Sequence, residues 1–135
     1  GPEKYRRGLY IHLRRNVPYP MLATFDASDA SVACLHRERS NSPLQALTLL
    51  NDPVFVECHE RLGEQLAAQP ADTTVEARLR HAFERCLSRP PAAAELAAMQ
   101  RHFDHQLLLA QGDRRLAFVA AARLVMNLDE FITRE

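Results

Sequence analysis

The stretch Asn41-Ser42-Pro43-Leu44-Gln45-Ala46-Leu47-Thr48-Leu49-Leu50-Asn51-Asp52-Pro53 sets two helix starts in quick succession and leaves this part of the chain little freedom. Ser42 is placed to cap a helix, Pro43 suits a first helical position that needs no amide hydrogen, and Gln45 completes a capping box three residues on. Leu44, Leu47, Leu49 and Leu50, with Ala46, leave almost no polar face, so this short helix is expected inside the domain. Asn51-Asp52-Pro53 repeats the cap-and-proline signal and sends the next helix off at an angle.

From Pro53 onward the apolar spacing predicts four helices. The first, over 53–68, buries Phe55, Leu62 and Leu66 with Val56 and Gly63 alongside, and stops at Gln69-Pro70. The second opens on a Thr73-x-x-Glu76 capping box and runs to Leu87, with Val75, Leu79, Ala82, Phe83 and Cys86 on one face. Ser88-Arg89-Pro90-Pro91 breaks it. The third, over 91–110, spaces Leu96, Met99, Phe103 and Leu107 at helical intervals and is expected to stop at Gly112. The fourth, over 113–127, takes Asp113 as cap and closes a four-helix antiparallel bundle, with Phe131 folding back onto the core.

Residues 1–41 read differently. Leu9, Ile11 and Leu13 share one face of an extended segment, or form one turn of helix. Val17-Pro18-Tyr19-Pro20 must be extended or turning, and Met21 to Phe25 offers a small apolar plug. The expected architecture is therefore all-α: a short buried helix, then four antiparallel helices over 42–135, with an irregular N-terminal segment (1–41) packed across them as one domain. Gly1-Pro2 resembles the scar of a cleaved tag, so the chain reads as a fragment of a larger protein.

The 135 residues carry a formal net charge of zero, but residues 1–41 hold seven Lys/Arg against four Asp/Glu, leaving the front third at +3 and the rest at −3. A dedicated nucleic-acid domain shows a stronger imbalance, so binding through Arg6, Arg7, Arg14 and Arg15 is the weaker reading. Cys34, Cys58 and Cys86 cannot all pair within one chain, and none stands in a C-x-x-C-H haem-attachment pattern. One disulfide or three buried free thiols are both open. No apolar run approaches a membrane span, and no signal peptide is visible.

His36, Arg37 and Arg39 immediately precede the Ser42-Pro43 helix start, and cations beside free helix amides form a candidate anion site. The plainer reading is that the arginines pair with nearby carboxylates and pin the front segment down. Gln45, Thr48, Asn51 and Asp52 are the polar residues of the short helix, and burying them requires partners. Those partners are either the backbone of the front segment or a ligand. Cys34, His36, Cys58 and His59 are enough in number for zinc, but adjacent helical residues point to different faces, so no metal is assigned and Cys58 is placed in the core. A Cys34 or Ser42 nucleophile with a histidine base lacks an ordered acid partner. His102 and His105 stand three apart beside Asp104, a spacing more often solvated than ligating.

Four separated motifs resemble, in order, the C-terminal part of a planctomycete-type domain of unknown function (family 1553): Phe25-Asp26-Ala27; Arg37 to Asn41 running into Ser42 to Pro53; Leu87-Ser88-Arg89-Pro90-Pro91; and Leu124 to Phe131. The resemblance implies a large extracytoplasmic parent, often carrying a c-type cytochrome domain elsewhere and linked to oxidative or polysaccharide-related systems. It implies no defined activity and no cofactor in this segment, with haem c possible on another domain of the parent. The implied role is a packing or interaction module whose partner is the upstream domain of the same parent. Leu9, Ile11, Leu13, Met21 and Phe25 are the apolar patch expected to be covered there. The alternative is part of an enzyme site for an acidic or sulfated polysaccharide, lined by His36, Arg37, Arg39, Gln45 and Asn51.

Overall fold

A computed structural model describes residues 1–14, 17–28, 33–36 and 40–133. Among these residues the chain is all-α, with two short 3-10 turns at Pro2–Tyr5 and Gly8–Tyr10 followed by α1 (Pro20–Thr24), α2 (Pro43–Asn51), α3 (Pro53–Ala67), α4 (Val75–Leu87), α5 (Ala93–Leu109), α6 (Arg114–Val125) and α7 (Asp129–Ile132). The front segment supplies three of these short elements, one of which, α1, starts on Pro20 at its first turn.

The local starts are those the residues dictate. Ser42 Oγ accepts the Gln45 amide at 3.3 Å while Gln45 Oε1 accepts the Ser42 amide at 2.9 Å, so the capping box closes in both directions. Asp52 Oδ1 takes the Val54 amide at 2.9 Å and Asp113 Oδ1 the Leu116 amide at 3.1 Å. One start moves. Thr74, not Thr73, caps α4 through the Ala77 amide, while the Thr73 carbonyl accepts from the Arg78 guanidinium. Glu76 then pairs with Arg80 instead of closing a box.

The end of α5 also differs. Gln111 takes the left-handed conformation at φ 52°, the Gly112 amide reaches back to the Leu107 carbonyl and the Gln111 amide to that of Leu108. This paired bonding is a Schellman stop with Gln111 at the position normally given to glycine, and Gly112 one residue beyond it.

The core is built where α6 lies against α3, α5 and α4. Ala117, Ala121 and Ala122 on α6 are completely covered, and their small size brings the neighbouring backbones close. Phe118 stacks tilted on Phe103 at 4.6 Å between ring centroids, with Leu66, Leu79, Phe83, Met99 and Val125 in the same cluster. Phe131 of α7 packs on this cluster as expected.

The short helix α2 is not enclosed all round. Gln45 and Leu49 are buried, but Leu44 is 60% and Leu47 55% exposed. An apolar helix with no polar face cannot itself say which flank is covered; here α3 and the front segment cover one flank only.

Candidate functional site

The most heavily bonded polar position on α2 is Gln45, a buried side chain satisfied at both ends. Besides the capping bond to Ser42, its Nε2 lies 2.9 Å from the Thr24 carbonyl, 3.1 Å from Ser40 Oγ and 3.2 Å from Asp26 Oδ2. Asp26 also accepts the Ser40 amide at 2.8 Å and the Ser40 hydroxyl at 2.8 and 2.9 Å. A buried amide thus ties the end of α1, the turn after it and the approach to α2 into one node. Asp26 sits at φ 56°, a conformation that aspartate tolerates better than most side chains.

The other candidate residues are dispersed. Ser42 shares the Gln45 node, whereas Asn51 lies at the far end of α2 and donates to the Leu47 carbonyl at 2.8 Å. Thr48 likewise bonds back to Leu44. His36 is exposed, and its carbonyl accepts from Cys34 Sγ at 3.2 Å. Arg37 and Arg39, with Arg15, lie outside the described residues.

A second tether holds the start of the chain to α3: Glu57 accepts from both Lys4 Nζ and Tyr5 Oη. The Lys4 bond, then the Tyr5 bond, lowers the Glu57 carboxyl below its ordinary range. Phe25 meets Phe55 at 6.2 Å between centroids, fixing the plug predicted for Met21 to Phe25 against α3. Arg6 is committed to Glu3 at 2.6 Å.

All three cysteines are free; Cys34 is exposed, and Cys58 and Cys86 are half-buried with thiols pushed up by burial. Cys58 packs against the core cluster as expected, and its neighbour His59 is buried as well: it is 2% exposed and its Nε2 has no partner among the described residues. Burial, and then the Arg123 charge, push its imidazole below the ordinary histidine range. Among the described residues no group of three or more His, Cys, Asp or Glu is placed to hold a metal ion.

Two structural residues carry more than their sequence context advertised. Arg78, almost fully buried, donates to the carbonyls of Leu66, Ala67, Gln69, Pro70 and Thr73 and lies over the Phe118 ring. An arginine three residues after Val75 on an otherwise apolar stripe was the available signal. Arg89 forks onto both Glu95 and Glu130 while lying over Phe83, joining α7 to the α4–α5 connection.

The remaining feature is apolar. Among the described residues, nine of the twelve exposed large hydrophobic side chains fall between Tyr5 and Leu47. They include Leu9, Tyr10, Leu13, Val17 and Tyr19 ahead of Leu44 and Leu47 on α2. Ile11, Met21 and Phe25 of the expected patch are half-buried instead. No helix among the described residues is long and apolar enough to cross a membrane.

Fold and surface together define an all-α module that clamps its own forepart with a buried amide and leaves an apolar flank uncovered. The family model for PSD1, protein of unknown function (DUF1553), matches residues 1–103, and the chain belongs to that family. The match takes in the forepart, α2 to α4 and most of α5. Neither a curated protein nor a solved structure matches the chain.

Proposed function

We propose that this chain is a docking module: the front segment and the open flank of α2 pack against a neighbouring domain of a larger polypeptide. The observation that carries this reading is the concentration of exposed apolar side chains before residue 48, since large exposed apolar area marks contact surfaces. The internal use of Gln45, Ser42 and Asn51 supports it further, because a ligand site would keep such groups available. On this reading residues 1–41 and 42–135 form one unit. The resemblance to planctomycete-type proteins supports an extracytoplasmic, cytochrome-associated or polysaccharide-related parent, with its upstream domain as the partner.

The test is a calorimetric titration of this chain with the separately produced region preceding it in the parent. Saturable binding is expected, weakened about tenfold or more by Leu44→Asp with Leu47→Asp. Both leucines are exposed, so the double variant should keep its fold. No binding by the unaltered chain, or undiminished binding by the double variant, overturns the proposal.

A further inference from the structure

A cleft of about 330 Å³ lies where the end of α2 meets α5 and α6, away from the Gln45 node. Its lining divides by chemistry. Leu50, Leu124 and Leu128, with Ala120, give an apolar floor, while His102, Gln106 and Arg123 supply hydrogen-bonding groups. His102 and Gln106 stand four apart on α5 and therefore on one face of it. Arg123 uses Nη2 on the Leu50 carbonyl at 3.0 Å, and no carboxylate among the described residues pairs with it. The side chains of His102 and Gln106 make no hydrogen bond to protein among the described residues, although both face this space. Asn127, also on the wall, has a buried Oδ1 with no partner among the described residues.

Small-molecule sites combine a mostly apolar lining with a few convergent polar groups in a volume of about 300–1,000 Å³. A guanidinium with unused N–H groups matches a carboxylate in particular, because its fork donates two parallel bonds. We infer that this cleft binds a small monocarboxylate with a hydrocarbon body. The carboxylate sits on Arg123, with His102 and Gln106 as further donors, and the hydrocarbon lies against Leu50, Leu124 and Leu128. α2 contributes Leu50 to this lining, and neither Leu44 nor Leu47 of the proposed docking flank is part of it.

Hexanoate, hexylammonium and acetate are the probes, titrated into the ¹⁵N-labelled chain at millimolar concentration and followed by amide chemical shifts. Saturable shifts with hexanoate, centred on residues 102–106 and 120–128, are expected, with neither control reproducing them. Arg123→Gln should weaken hexanoate binding about tenfold or more. Because that change also removes the Leu50 contact, Gln106→Leu is measured alongside and should weaken binding while leaving Arg123 seated. Non-saturating shifts, equal response to hexylammonium, or hexanoate binding untouched by both variants overturns the inference.

Discussion

Gly63 on α3 and Val119 on α6 meet with no room for a side chain between them: a β-carbon on Gly63 would stand 2.5 Å from Val119 Cγ2 and 2.6 Å from its Cα and N. Two of those three atoms are backbone, so rotating the valine cannot relieve the clash. Gly63→Ala should therefore cost about 1–3 kcal/mol, despite alanine's better helix propensity. Urea unfolding measures it. Adding Val119→Ala should recover only part of the loss, because the backbone contacts remain.

Arg78 closes the turn between α3 and α4 by donating to five carbonyls. Arg78→Met keeps much of the side-chain volume but leaves buried acceptors unmet, and should cost about 3 kcal/mol or more. Arg78→Lys should rescue little, since an ammonium cannot reach acceptors spread around a planar fork. Chemical denaturation of both variants decides this.

Acid should weaken the fold in two stages, one opening below pH 6.5 and the other below 4.5. His59 titrates in the fold below its ordinary 6.5, through burial and then Arg123. As pH falls beneath 6.5 the unfolded chain takes the proton first, so stability declines until the folded value is reached. Glu95 is held at about 2 instead of 4.5 by Arg89 and by the Ala92 amide. Its contribution is complete above 4.5 and is lost as pH falls from there toward 2. Urea midpoints followed from about pH 7.5 downward should show both declines. His59→Gln should flatten the upper window and leave the lower one.

Gln111 holds a left-handed φ of 52° where α5 ends. Gln111→Gly should stabilise the chain by about 0.5–1 kcal/mol, since glycine carries no β-carbon penalty in that conformation. A thermal melt would register the gain, and a loss would mean that the Gln111 side chain contributes something its backbone geometry does not reveal.

Sequence patterns disclosed what depends on near neighbours. The Ser42–Gln45 box and the Asp52 and Asp113 caps are interactions spanning two or three residues, so spacing alone reveals them. The apolar stripe of α4 likewise gave the core positions Leu79, Ala82 and Phe83. Arg78 escaped because its acceptors are carbonyls, which no residue type encodes. Cys58 packs on the core as its position suggested, while the burial of its neighbour His59 was not read because a one-residue rotation of a helix face lies within the breadth of its stripe. Gly63 was legible as an isolated glycine in a helical run, but only the crossing with α6 explains it. The exposure of Leu44 and Leu47 depends on what lies beside α2, which the chain's own periodicity does not contain. For the candidate site the same division holds: the Ser42–Gln45 pair was readable, while the bonds from Gln45 to Thr24, Asp26 and Ser40 depend on tertiary folding.

The hub role of α2 rests on Gln45 holding the forepart in place. Gln45→Ala removes that clamp yet keeps the backbone amide that Ser42 Oγ accepts. Native-state hydrogen exchange on this variant should show the amides of Ala23, Phe25, Asp26, Ala27 and Ser40 exchanging about tenfold faster or more. Those of Leu66, Leu79 and Phe118 should change much less. Unchanged protection in the forepart, or equal loss throughout the bundle, would contradict the role of Gln45 as the clamp that holds the forepart and the proposed docking surface.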